Sequence, residues 1–240
     1  RSVDRHVAVN RDIASALERK GAAAERIALI HHGVAVPDGA SDEDRAARRA
    51  AQRRRLSLPE NAVVVGSFIR LHAQKRPLDI VRLARRFARD PGETPVAFLL
   101  VGGGPLAPEV DAELARSPVP GLVRLPMTRR PLPLYDALDI CLMTSAYEGL
   151  PVFLLDGLAR GIPGVAPAVG DIPLLFSGGG GLLAESPGHL NALEAALREL
   201  LDPAERARRG ALGRRTVRDS FGLERYLASY RRHLLGEFAP

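Results

Sequence analysis

Two carboxylates stand eight positions apart in SAYEGLPVFLLDGLARG, residues 145–161. Glu148 lies in the turn AYEGLP. Asp156 lies among Val152, Phe153, Leu154, Leu155 and Leu158, which leave the expected helix no polar face. A helix that is apolar all round is buried, and a buried acid needs a partner. Elsewhere Arg70 and Lys75 fall in IRLHAQKRP, Gly33 follows IALIHH, Gly102, Gly103 and Gly104 precede Pro105, and Met127, Thr128 and Arg129 open MTRRP. These residue types suit a charged, hydroxylated ligand. Arginine grips a phosphate with two parallel donors, and lysine acts as a point charge. Glycine admits a close backbone approach. The free N–H groups of a helix starting after EGLP attract an anion, and carboxylates held away from bulk water suit vicinal hydroxyls.

The elements that must position these groups read as alternating strands and helices. Runs rich in Val, Ile and Leu occur at 6–9, 26–31, 62–68, 96–102, 122–126, 139–145 and 164–168. Several are continuously apolar, as parallel strands covered on both faces are. Helical patterns fall at 10–20, 77–89, 107–116, 151–160 and 188–201, and two more, PAERARRGALGRRTVRDSF and LERYLASYRRHLL, follow. An Asn opens the first helix and Pro77 stands at the first position of the second. The pattern predicts an α/β class: a Rossmann-like open parallel sheet with helices on both faces and a helical C-terminus. Segment 37–61 is polar, charged and strandless, and is expected to be a linker containing one exposed helix.

Ligands bind such a sheet beyond the carboxyl ends of its strands. Arg70, Lys75, Gly33, the glycine turn, MTRRP and Glu148 all follow strands, so they converge on one end of one sheet. The result is a phosphate-plus-polyol site, suited to a nucleotide or nucleotide sugar. In the competing reading Glu148 faces the helix dipole and Asp156 bridges Arg160 at i+4. The apolar neighbours make that bridge the weaker reading of Asp156.

Composition bounds the class. The 240 residues allow one large domain or two smaller ones, and 46% hydrophobic with 26% charged residues describes a globular chain. No apolar run approaches the roughly 18 residues of a spanning helix, and RSVDRHVAVN lacks the apolar stretch of a signal peptide. The single cysteine, Cys141, excludes an intramolecular disulfide and a multi-cysteine zinc site; inside DICLMTS it is expected to be a buried, inert thiol. A net charge of +6 raises the question of nucleic acid. The arginines, however, are spread along helical RAARRAAQRRR and ERARRGALGRR, and 5% aromatics with no Trp offer no base-stacking platform. Solvated helix faces explain the charge, and the near-exclusive use of Arg over Lys reads as a GC-rich bacterial source.

On these residues the sequence resembles the retaining glycosyltransferases of family 4, which have the two-lobed GT-B fold. LIHHGVAVP, GSFIRLHAQKRPLDIVRLARRF, FLLVGGGPLAPEV, LYDALDICLMTSAYEGLPVFLLDGLARGIPGVAPAVGDIPLL and GLLAESPGHLNALEAALRELL carry the resemblance in order through nearly the whole chain. The fourth holds the two-acid motif E-x7-E and is the specific signal; the glycine turn alone is a weak one. The resemblance implies transfer of a hexosyl group from a nucleotide-diphosphate sugar, UDP before GDP, with retention of configuration and with neither metal nor cofactor. Arg70 and Lys75 would hold the diphosphate and stabilise the leaving nucleotide. Glu148 would bind sugar hydroxyls and Asp156 the ribose. The Gly149 and Leu150 amides, with Pro151, would lie near sugar and phosphate. Gly33 would give the diphosphate room, Gly102 and Gly104 would border the donor, and Met127–Arg129 would touch the base.

The resemblance also implies three parts. Residues 1–38 would be the closing strand–helix–strand of a partial acceptor lobe, 39–220 the donor domain, and 221–240 a helix packing back toward the acceptor lobe. A carbohydrate or lipid-linked acceptor would bind a lobe absent from this chain, leaving the chain alone weakly active or inactive. The implied setting is polysaccharide or glycoconjugate biosynthesis in the cytoplasm, with peripheral docking of the full protein at the inner membrane face and no nucleic-acid partner. Three positions depart from the family. Asp156 is one methylene shorter than the usual Glu, His31 and His32 stand where an Asn precedes the glycine, and Leu174 replaces an acid. Two rival readings are a degenerate, non-catalytic nucleotide-sugar-binding module and an NADP-dependent oxidoreductase. The latter rests on Gly102-x-Gly104-x-x-Ala107, where Pro105 is awkward among amides meant for pyrophosphate.

Overall fold

The computed structural model describes residues 5–38 and 41–235; the parts of the expected segments on 1–4, 39–40 and 236–240 lie outside the described residues. Strand β1 (His6–Ala8), helix α1 (Arg11–Arg19) and strand β2 (Ile27–Leu29) form a small unit in which the two strands pair in parallel. Asn10 closes the start of α1 by accepting from the Ile13 amide at 2.8 Å. After α2 (Asp42–Arg55) come β3 (Val63–Phe68), α3 (Pro77–Arg89), β4 (Val96–Val101), α4 (Ala107–Arg116), β5 (Leu122–Leu125) and β6 (Ile140–Leu142). Then follow α5 (Val152–Ala159), β7 (Gly164–Pro167), α6 (Ile172–Phe176), β8 (Gly181–Ala184), α7 (Leu190–Glu199), α8 (Pro203–Ser220) and α9 (Leu223–Tyr230).

The main sheet is parallel and six-stranded, in the order β5-β4-β3-β6-β7-β8. All seven expected strands are present. Their continuous apolar runs are explained by cover on both faces: Val64, Leu99, Leu100, Ile140, Leu142 and Val165 are fully buried. Helix α3 contributes Ile80, Val81, Leu83, Ala84 and Phe87, the stripe that a 3.6-residue period puts on one side. The order doubles back at β3 and β6, and a crevice opens at such a reversal, beyond the strand carboxyl ends.

Three features differ from the expectations. The chain between 168 and 188 is not a plain loop, since it holds α6 and β8. Helix α2 is largely exposed, but it is no free linker helix. Its Arg53 is only 1% exposed and donates to the carbonyls of Glu60, Ala62 and Ala137 and to Asp139 Oδ2 at 2.6 Å. That arginine is therefore not part of a solvated face. Thirdly, β2, which leads to Gly33, pairs with β1 in a separate two-stranded sheet, so Gly33 does not follow a strand of the sheet that carries the other site residues. The C-terminal helices meet this small unit. Val34 donates to the Phe221 carbonyl at 3.0 Å, Leu223 donates to the Val34 carbonyl at 3.0 Å, and His233 Nε2 lies 3.1 Å from the His6 carbonyl oxygen. No helix among the described residues is long and apolar enough to cross a membrane.

Candidate functional site

The segment after β3 and the segment after β6 meet at the sheet's reversal point. A single turn of 3-10 helix, Ala73–Lys75, presents Lys75. Its Nζ donates to both carboxylate oxygens of Glu148, each at 2.6 Å. Glu148 is buried and Lys75 mostly so, with side-chain exposures of 5% and 20%. The neighbouring contacts hold the two loops in register. Thr144 Oγ1 donates toward the carbonyls of Lys75 and Arg76, Ala146 donates to the Gln74 carbonyl, and Gln74 Nε2 donates to that of Tyr147. Ser145 Oγ is buried beside them with no hydrogen-bond partner among the described residues, a polar atom left to serve a ligand or a water.

Arg70 is exposed at the same end of the sheet and forms no ion pair among the described residues. No side chain caps α5, whose first turn follows directly from Glu148, Gly149, Leu150 and Pro151. Its leading amides therefore have no side-chain acceptor, which favours an anion there. Leu150 and Pro151 are themselves buried, so those two positions offer backbone only. Met127 is exposed on the neighbouring loop with Arg129, while Thr128 Oγ1 accepts from the Arg130 amide at 3.1 Å.

Asp156 is half-buried on α5, and the bridge judged the weaker reading is present: Arg160 Nη1 lies 3.3 Å from its Oδ1 and also bonds its carbonyl. The apolar stretch misleads because residues 156 and 160 share the one side of α5 that is not sealed. Burial pushes the Asp156 carboxyl above the usual range and Arg160 opposes that shift. Arg160 also stacks over the Tyr135 ring, 5.0 Å from its centroid. Cys141 is the buried thiol expected, and burial pushes its ionisation up.

The glycines are explained by protein packing rather than by a ligand. A Cβ on Gly33 would stand 2.4 Å from Tyr226 Cβ of α9, so the room expected for a diphosphate is filled by that helix. A Cβ on Gly102 would stand 1.9 Å from the Ile69 carbonyl oxygen, and one on Gly104 2.6 Å from that of Leu71. The glycine turn is thus a seat for the Arg70 loop.

The sequence profile of glycosyl transferases group 1 matches residues 59–203. The chain belongs to the glycosyl transferases group 1 family. Among curated group 1 relatives, the D-inositol 3-phosphate glycosyltransferase of Salinispora arenicola is 35% identical over 169 residues, covering 65% of this chain and 37% of that protein. The enzyme of the same name from Corynebacterium efficiens is 32% identical over 205 residues, covering 81% and 47%. The chain therefore spans about a third to a half of the length of these relatives. Among solved structures, Anabaena Alr3699/HepE in complex with UDP-glucose superposes with a TM-score of 0.84 at 20% identity, over 99% of this chain and 65% of that one. The fold matches GT-B glycosyltransferase structures.

Sequence reasoning missed the contacts by which this group 1 chain joins its small unit to the site loops. Asn10 Nδ2 lies 2.3 Å from where a Cβ on Gly149 would stand. Asp171, which is buried, accepts from the Arg11 amide, and its Oδ2 lies 3.0 Å from His31 Nε2. Asp171 in turn donates its amide to the Gly149 carbonyl at 3.0 Å. Asn10 was legible as a helix cap, but nothing in the spacing revealed its second contact.

Proposed function

We propose that this chain is the donor-binding part of a retaining glycosyltransferase of family 4, which transfers a hexosyl group from a nucleotide-diphosphate sugar. The observation that carries the reading is the Lys75–Glu148 pair at the reversal point, flanked by Arg70 and the uncapped start of α5. In this reading Arg70 and Lys75 hold the diphosphate. They stabilise the negative charge that grows on it as the glycosidic bond breaks, the transition-state charge that fixed cations serve best. Glu148 keeps Lys75 in place and accepts from sugar hydroxyls. The Gly149 and Leu150 amides border the phosphate, Asp156 takes the ribose, and Met127–Arg129 border the base. Residues 39–220 form the donor domain, while 1–38 and 221–240 belong with an acceptor lobe. UDP is preferred to GDP, a preference supported by the UDP-glucose bound to the Anabaena neighbour. The curated relatives' names make a phosphorylated cyclitol the first acceptor to try with the whole protein, which we place in the cytoplasm.

A thermal-shift and calorimetric panel of UDP-, GDP- and ADP-sugars tests this. A UDP-sugar is expected to bind, Lys75→Ala and Arg70→Ala to weaken UDP more than tenfold, and Glu148→Ala to spare UDP while weakening the UDP-sugar. Equal affinities across these variants would move the site elsewhere. Efficient sugar transfer by the 240 residues alone would overturn the assignment as a donor part only.

A further inference from the structure

A second cavity of about 860 Å³ opens at the opposite end of the sheet, at the amino ends of β6 and β7. Leu138 and Asp139 border it just before β6, and Ile162 and Pro163 just before β7. Its walls come from α2, the 132–139 turn, the end of α5 and the start of α8. Six arginines and three aspartates line it.

Five of the six arginines have a carboxylate partner: Arg45 has Asp42, Arg48 has Asp136, Arg49 has Asp139, Arg160 has Asp156 and Arg214 has Asp38. Asp139 already spends one oxygen on Arg49 and the other on Arg53, each at 2.6 Å, and the second also accepts from the Val64 amide. Arg206 faces the same carboxylate with no ion pair among the described residues; one of its nitrogens donates to the carbonyls of Leu200 and Leu201 at 2.7 Å. Burial pushes Arg206 below the usual guanidinium range, Asp139 opposes that shift and Arg49 adds to it. Arg214, eight residues farther along α8, reaches Asp38 at 2.8 Å, and its Nε is buried without a hydrogen-bond partner among the described residues. A partly buried guanidinium without a carboxylate partner, on the same helix as a second one whose Nε is buried and unpartnered, suits an anion. The wall also carries Tyr135, Leu132 and Ile162, so the occupant has an apolar or ring-bearing body.

We infer that this cavity is a binding site for a phosphate monoester group, held between Arg206 and Arg214, and separate from the donor site. The phosphate belongs either to a soluble phosphorylated metabolite or to a lipid headgroup. The inference does not rest on the donor reading, because the two sites sit at opposite ends of the strands.

The test is titration of the full chain with inorganic phosphate, followed by hydrogen exchange and calorimetry. Protection is expected in peptides covering 45–49, 132–139 and 203–214. Arg206→Met and, separately, Arg214→Gln are expected to weaken that binding at least tenfold while leaving UDP affinity unchanged, and Lys75→Ala to leave the protection intact. Flotation with phosphatidylcholine vesicles, with and without phosphatidic acid, separates the sources. Capture by the phosphatidic acid vesicles that both variants lose assigns a headgroup; phosphate binding that both variants lose, without capture, assigns a soluble ligand. Absence of both, or binding unchanged in two variants that unfold at the parent temperature, overturns the inference.

Discussion

Lys75 Nζ stands 2.6 Å from both oxygens of the Glu148 carboxylate, closing a contact between residues 73 positions apart. The sequence reading gave the two side chains separate tasks, one on phosphate and one on sugar. Paired, they form a single unit. In the proposed reading a lone carboxylate here would repel a diphosphate; Lys75 cancels that charge and, with two N–H groups on Glu148, keeps its third for a ligand.

The pair is expected to behave as a unit in stability. Lys75→Met strands a buried carboxylate and is expected to cost about 2 kcal/mol, less than the roughly 3–5 of a fully buried pair because a fifth of Lys75 is exposed. The double variant Lys75→Met with Glu148→Leu is expected to recover most of the loss. Urea unfolding of the four proteins measures the coupling, and simple additivity would show the two residues to be independent.

Arg70 is expected to separate binding from stability. It is exposed and unbridged, so Arg70→Ala should leave the unfolding temperature within about 1 °C. Loss of one charge-assisted hydrogen bond pair nevertheless weakens UDP by roughly 10–100-fold. Calorimetry beside a thermal melt reads both numbers from one sample.

Asp156 carries a pH dependence. Its folded carboxyl titrates above the ordinary value of 3.8 because burial disfavours the charge. Its stability contribution is thus greatest below 3.8 and is lost as pH rises through the folded value. Asp156→Asn is expected to raise the unfolding temperature at pH 7 by about 2 °C, and the gain should shrink toward pH 4. A gain that grows with acid would show that Arg160, not burial, governs this carboxyl.

Arg53 is expected to be the costliest arginine to lose. Arg53→Met empties a site where one guanidinium serves four carbonyls and Asp139. The expected loss is about 3 kcal/mol, or roughly 10 °C in the unfolding temperature. Substituting exposed Arg55 on the same helix should do almost nothing.

Most of the fold was legible because parallel strands declare themselves as apolar runs. β8 escaped because its approach, SGGGG, looks like a loop. Those glycines are required by contact. A Cβ on Gly181 would stand 2.4 Å from Phe176, and one on Gly180 2.4 Å from the Gly213 Cα of α8. The absence of side chains there records close packing. The candidate site was legible as a set of residues at strand ends. Its pairings were not, because Lys75 with Glu148 and His31 with Asp171 are partners only through tertiary structure. Arg53 hid for the opposite reason: among so many exposed arginines, nothing local marks the one that is buried.

The sheet order also dictates a timetable for the nascent chain. β3, β4 and β5 leave the ribosome before β6, so the edge of β3 that β6 will cover stays open while about 70 residues are made, on the order of 4–14 seconds. Val63, Val64 and Val65 lie on that edge, an apolar template for another chain. Arg53 is already synthesised and sits where β3 begins, and its carboxylate partner Asp139 arrives only with β6. Until then its charge stands unpaired at the open edge, where a cation discourages strand addition. The guanidinium that locks α2 onto the finished sheet is thus expected to discourage strand addition at that edge before β6 docks.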